Sequence, residues 1–274
     1  VKVDPRVIDM LLFSREANEL SDGMVNVAFG AVLEVWHDYR EEGTDDPTIA
    51  KVPPMELLQE KAQHTDINKL IIDEAASTVY LEDPEMSLDV GAIAKGYATE
   101  AVAQNAMVKG YTNGLLSVGG NVRAIGSKGY SVLEEGDPGE GIGAEDSWNV
   151  GIQNPEDESA ENYLYILNIE NLSLVSSGDY ERYYTVDGVE YHHIIDPNTL
   201  LPAENFTAVS IVTENSGLAD ALSTAIFNLP YEKGLQLIED LEGTEALWVM
   251  SDGSQQFSSG FEALIKQETD SAKE

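Results

Sequence analysis

The chain has 274 residues and carries 15 Lys and Arg against 50 Asp and Glu, a formal net charge of −35. With no dense basic patch, so acidic a chain excludes nucleic acid and anionic bilayer surfaces as direct partners. No apolar run approaches the roughly 18 residues of a membrane helix. The 42% hydrophobic content, spread along the whole length, suffices for a packed core, and the lack of cysteine rules out disulfides, zinc–thiolate clusters and thiol nucleophiles.

The chain opens with Val1 rather than Met, so the native N-terminus, with any signal peptide or lipid anchor, is expected to have been removed. Pro5 starts a helix with Val7, Ile8, Leu11 and Leu12 on one face, ending near Asp22-Gly23. A polar loop is expected from Arg40 to Pro54, then a short helix over Met55–Gln63 and a strand over Thr78–Leu81 leading to a loop at Glu82–Ser87. A long helix runs from about Ala92 to Lys109, with Gly110 in the C′ position. Strands follow at Leu115–Gly126, Trp148–Gln153, Tyr163–Val175, Arg182–Ile195 and Ala208–Thr213, with Asp187-Gly188 as a hairpin turn. Glu134–Asp146 reads as an exposed loop insertion, Leu218–Leu229 as a helix capped by Ser216, Ala246–Met250 as a last core strand and the segment after Lys266 as a frayed tail. Hairpins with segregated helices imply an α+β fold, and no linker divides the chain.

Five local patterns can carry chemistry. Leu88-Asp89-Val90-Gly91-Ala92-Ile93-Ala94-Lys95-Gly96 places free backbone N–H groups and a lysine at a helix start, which suits a phosphate, although on spacing alone a tight packing turn is the commoner reading. Gly119-Gly120-Asn121 permits close backbone approach to a ligand, or a bulge. Asp220 and Thr224, four apart, share a helix face and offer hard oxygen ligands for a divalent cation; a capping Asp and a back-bonding Thr fit the pattern too. His192 and His193 are adjacent in an extended segment, so at most one faces a given site as proton acceptor. Ser176 to Arg182 supplies hydroxyls, two acids and a cation at a bend, or a stabilised turn alone.

Taken in order, LDVGAIAKGYATE (88–100), SVGGNVRAIG (117–126), WNVGIQNP (148–155), SSGDYERYY (176–184), HHIIDP (192–197) and ADALSTAIF (219–227) resemble the FAD:protein FMN transferase family, the ApbE or thiamine-biosynthesis lipoprotein-like family. The resemblance covers most of the chain. It implies one α+β, T-fold-related domain over residues 1–274, with a mixed or antiparallel sheet, packed helices, a helical N-terminal portion and FAD in a cleft; the first part of the family domain is expected to be missing and about 267–274 to fray. The implied activity is Mg²⁺-dependent transfer of FMN from FAD to a Thr or Ser of a target flavoprotein, releasing AMP. FAD binding alone, or hydrolysis of FAD to FMN and AMP, is the alternative. The family likeness also implies an exported bacterial protein, lipid-anchored at the outer face of the cytoplasmic membrane through a segment outside this chain.

Carried over residue by residue, the resemblance implies metal ligation by Asp220, Thr224 and the backbone carbonyl of Ala94, or else of Ala92. Asp89 and Lys95 would lie near the FAD phosphates, and Gly119, Gly120 and Asn121 would line the nucleotide; Asn121 stands where the family often has Asp. Ser177, Gly178, Asp179 and Glu181 match the nucleotide-pocket turn, and His193 the catalytic histidine. Among the few cations, Lys95, Arg123 and Arg182 fall inside these motifs and, with Mg²⁺, are expected to balance a pyrophosphate.

Overall fold

The computed structural model describes residues 1–128, 147–155 and 162–266. Eighteen regular elements follow in order: α1 (Pro5–Leu20), α2 (Gly30–Asp45), α3 (Met55–Lys61), β1 (Leu70–Asp73), β2 (Thr78–Leu81), α4 (Ala94–Val108), β3 (Gly114–Val118), β4 (Asn121–Ile125), β5 (Trp148–Gln153), β6 (Tyr163–Ile169), β7 (Ser173–Gly178), β8 (Tyr183–Val186), β9 (Val189–His192), β10 (Phe206–Thr213), α5 (Ser216–Asn228), α6 (Tyr231–Glu239), β11 (Glu245–Met250) and β12 (Gln255–Phe257). Among them no helix is long and apolar enough to cross a membrane.

A six-stranded sheet of order β12-β11-β10-β7-β4-β3 organises the molecule, and every pairing in it is antiparallel. Successive side chains point to opposite faces. Along β11, Ala246 and Trp248 join a core with α5 and α6, while Leu247 and Val249 join a second core with the β5–β6 hairpin and Phe261. Strand β10 divides its residues the same way, Ile211 to the helical side and Ala208 and Val212 to the other, so it reads as an almost unbroken apolar run. Helix α1 packs with β1, β2 and α5 in a third cluster. A fourth joins α2, α3 and the β8–β9 hairpin, where Trp36 donates from Nε1 to Leu200 O at 2.9 Å.

Helices α4 and α5 cross so closely that the seam admits no side chain at Gly96. A Cβ there would collide with the Ser216 carbonyl oxygen and lie 2.5 Å from the Asp220 Cβ.

Several boundaries differ from the sequence expectation. Arg40–Asp45 is not loop but the last part of α2, because Val32 and Trp36 bury one stripe while the acids keep the other wet. Leu115–Gly126 is not one strand: Gly119 and Gly120, at φ +53° and +90°, make a two-residue hairpin turn between β3 and β4. Tyr163–Val175 breaks into β6 and β7 near Asn171, at φ +54°. Helix α4 starts at Ala94, not Ala92, after the 91–93 turn. The cap of α5 is Asn215, whose side chain accepts from Leu218 N at 3.0 Å, rather than Ser216. The sheet, expected to be mixed or antiparallel, is antiparallel among the described residues. Glu134–Asp146 and the tail after Lys266 lie outside the described residues.

Replacing a helical glycine by alanine ordinarily stabilises by about 0.5–1 kcal/mol. In Gly96→Ala the clash reverses the sign, and we expect a loss of about 1–3 kcal/mol from overpacking. Urea unfolding of the two proteins checks this; an alanine variant as stable as the parent contradicts the tight seam.

Candidate functional site

A cleft of about 840 Å³ opens between α2, the turn before α4, the β3–β4 turn, the end of β7, the segment after β9, and α5. Its floor is built by the α4–α5 seam. Asp220 is 5% exposed, and its Oδ2 accepts from Gly96 N at 2.7 Å. In a regular helix that N–H would return to the carbonyl four residues back, which belongs to Ala92. The amide goes to Asp220 instead, so it does not claim the Ala92 carbonyl, and Ala92 lines the cleft. Thr224, one turn along α5, faces the same space.

Asp89 and Lys95 flank this floor. Asp89 Oδ1 accepts from Gly91 N at 2.7 Å and shapes the turn. Lys95 Nζ donates to Gly119 O at 3.1 Å, which fastens the β3–β4 turn over the start of α4. Ser177, from β7, shares a hydrogen bond of 2.8 Å with Ser223, and Ser223 Oγ donates to Asp220 O at 2.8 Å. Since Ser223 has one proton and directs it to that carbonyl, Ser177 is the donor to Ser223.

The two histidines part company as strand alternation requires. His192 is buried, with Nε2 on Ala203 O at 2.7 Å and Nδ1 accepting from Ile194 N at 3.2 Å, which makes it a structural imidazole. His193 lines the cleft, and its buried Nδ1 has no partner among the described residues. Burial first, then the charges of Arg182, His192 and Arg40, push its pKa down to about 4, opposed by the backbone of Arg182. Arg40 and Arg182 both face the cleft. Neither guanidinium pairs with a carboxylate among the described residues. Burial and then the charge of Arg182 lower the Arg40 pKa. Burial raises that of Asp220, against the pull of Gly96 N–H, Asn121 and Lys95.

Of the residues singled out in the sequence, the structure gathers Asp89, Lys95, Gly119, Gly120, Ser177, Gly178, Glu181, His193, Asp220 and Thr224 on the cleft wall. It does not bring Ala94 there: that residue begins the α4 ladder, and Ala92 is the one exposed to the cleft. Asn121 is fully buried below the wall rather than lining it. Its amide atoms meet no group at hydrogen-bonding geometry, yet it lies near enough to Asp220 to favour the carboxylate. Asp179 is half-buried beside Glu190, off the cleft wall, and burial with that neighbour raises its pKa to about 6. Arg123 points away into a buried ion pair with Glu100, at 3.0 Å. The sequence reading missed the α2 face, where Glu34, His37 and Arg40 recur every three residues toward the cleft.

A carboxylate–hydroxyl pair, a lysine-held glycine turn, two guanidiniums without a carboxylate partner among the described residues, one of them (Arg40) hydrogen-bonded to His37 at 2.8 Å, and a neutral imidazole around one cavity define an α+β protein built to hold an anionic ligand. The sequence model of the ApbE family matches residues 1–248, and the chain belongs to that family. It is 34% identical over 267 residues to the FAD:protein FMN transferase of Treponema pallidum (strain Nichols), covering 93% of this chain and 70% of that relative. It is 29% identical over 250 residues to the one of Klebsiella pneumoniae (strain 342), covering 91% and 70%. Among solved structures it resembles the ApbE protein of Thermotoga maritima with a TM-score of 0.80, 29% identity and coverage of 97% and 80%. A mutant of the flavin transferase ApbE from Vibrio cholerae gives a TM-score of 0.72 at 25% identity, covering 96% and 78%.

His193 carries a pH consequence. Its pKa falls from an ordinary 6.5 to about 4 on folding, so between these values the unfolded chain binds more protons. The stability it contributes is complete above pH 6.5 and is lost as the pH falls through 4. NMR titration of the imidazole, assigned through His193→Gln, is expected to show the neutral ring down to about pH 5; an apparent pKa of 6 or more refutes the shielding described.

Proposed function

We propose that this chain is an FAD:protein FMN transferase, moving FMN from FAD to the hydroxyl of a Thr or Ser in a target flavoprotein and releasing AMP. The observation that carries the reading is the meeting of Asp220, Thr224, Lys95 and a neutral His193 on one cleft wall, in a chain related to proteins of that name. The donor set fits a hard divalent cation. A buried carboxylate, a hydroxyl and the Ala92 carbonyl offer oxygen only, and no cluster of three His, Asp or Glu stands among the described residues to form an all-protein cage. Mg²⁺ takes this kind of site, with one or two protein oxygens and substrate phosphate completing its shell. When bound, such an ion neutralises charge on the pyrophosphate.

The chain's own groups account for the rest. Lys95, Arg40 and Arg182 bring positive charge to the cleft wall and orient the pyrophosphate. The His193 ring on the cleft wall, neutral at neutral pH, accepts the proton of the acceptor hydroxyl. The hydroxyl oxygen forms a bond to the FMN phosphorus as the bond from that phosphorus to the AMP oxygen breaks in line, and AMP leaves. The same reading takes the protein to be exported and lipid-anchored, which the family resemblance supports.

Incubation with FAD, Mg²⁺ and a candidate acceptor domain, followed by intact mass of the acceptor, tests the proposal. The acceptor is expected to gain the mass of one FMN, with equimolar AMP. Free FMN without a change in acceptor mass assigns hydrolysis instead. Asp220→Asn keeps an acceptor for Gly96 N and so the fold, and is expected to lose at least about a hundredfold in rate; full activity in that variant removes Asp220 from the metal site. Chelation with EDTA is expected to weaken FAD binding, read by flavin fluorescence, and unchanged affinity counts against the cation.

A further inference from the structure

The α4–α5 seam holds a second contact that mirrors the one at Gly96. One turn along α4 stands Glu100, and one turn back along α5 stands Ser216. Glu100 Oε2 accepts from Ser216 N at 2.9 Å, as Asp220 Oδ2 accepts from Gly96 N at 2.7 Å. The two bonds therefore join residues four apart on each of two antiparallel helices, one carboxylate donated by each helix.

Glu100 is 8% exposed and does more than close the seam. The same Oε2 takes Arg123 Nε at 3.0 Å, and Oε1 takes Gln104 Nε2 at 2.6 Å. Arg123, 4% exposed, lies on β4 two residues beyond Asn121 and the Gly119-Gly120 turn. One carboxylate thus ties together the three elements that bear the cleft's floor: α4 with Lys95, α5 with Asp220 and Thr224, and β4 with its turn. Stability alone does not call for it. A buried ion pair loses so much hydration that well-packed apolar residues of the same volume often hold a fold as firmly or better. What apolar residues cannot do is accept the Ser216 N–H and set an anion against the positive end of α5.

We propose that Glu100 is a positioning residue of the cleft, fixing the register of α4 against α5 and with it the span across which Ala92 and Lys95 face Asp220 and Thr224. The proposal rests on the function inferred above, in that these residues meet one ligand.

The test uses Mn²⁺ alone as probe, its binding followed by electron paramagnetic resonance, with exchange of the Gly96 amide as a second readout. The single change Glu100→Met leaves Arg123 buried and unpaired and can simply unfold the chain. The double variant Glu100→Met with Arg123→Met removes both charges and is expected to fold with a Tm close to the parent's. It should bind Mn²⁺ about tenfold more weakly and exchange the Gly96 amide faster, although no partner of that amide has changed. Glu100→Gln with Arg123→Met restores an acceptor for Ser216 N, and is expected to recover both readouts. A folded double Met variant with parental Mn²⁺ affinity and parental Gly96 protection overturns the proposal. A parent chain that binds no Mn²⁺ overturns the metal reading instead, and Gly96 exchange then decides the role of Glu100 by itself.

Discussion

The cleft depends on one constraint: where α4 meets α5 at Gly96, α4 can carry no side chain. Gly96 is the only kind of residue that lets α4 lie against the Ser216 carbonyl and Asp220. Because the backbones touch, Asp220 reaches the Gly96 amide, and the first turn of α4 is opened at Ala92. Because α5 also packs on β7 and β10, through Ser177–Ser223 and the apolar cluster with Val209 and Ile211, the seam is braced by the sheet. The wider architecture serves to bring that contact to the surface at one end.

Charge is distributed against the overall composition. The chain carries more than three acids for every cation, yet the cleft wall offers Lys95, Arg40 and Arg182 against Glu34, Asp89, Glu181 and Asp220, nearly a balance. Burial first, and then the charge of two of those cations, keeps the His193 imidazole neutral, so the like-charge repulsion of the basic pocket adds to the protonation preference that desolvation sets. An anion drawn to the same guanidiniums relieves that repulsion. Among the described residues most of the remaining acids are exposed, where water screens them.

Much of this was legible in the sequence where a local rule applied. Asp187-Gly188 turned a hairpin, Gly110 closed α4, and the period-four spacing of Asp220 and Thr224 set them on one face. What escaped reading was decided by tertiary context. Helix α2 bears Glu34, His37, Arg40, Glu41 and Glu42 beside a buried stripe of Val32 and Trp36, and of these polar residues Glu34, His37 and Arg40 border the cleft. Arg40 meets Arg182 across 142 positions of chain, a distance over which spacing carries no signal. Asn121 and Arg123 show the reverse failure, since a motif locates residues along the chain but does not say which way strand β4 turns them. Ala92 and Ala94 differ only in whether a helix amide claims their carbonyl, and that choice was made by an aspartate more than 120 residues away.

The serine relay at the back of the cleft has a chemical grammar of its own. Ser177 gives its only proton inward, to Ser223, which passes its own to the Asp220 carbonyl. The oxygen that Ser177 turns to the ligand therefore holds lone pairs alone. A hydroxyl that ordinarily greets donor and acceptor alike has been made one-handed: it welcomes an N–H or O–H of whatever enters and turns a bare oxygen away. The backbone of α5, by taking that proton, edits the vocabulary of a side chain on another strand.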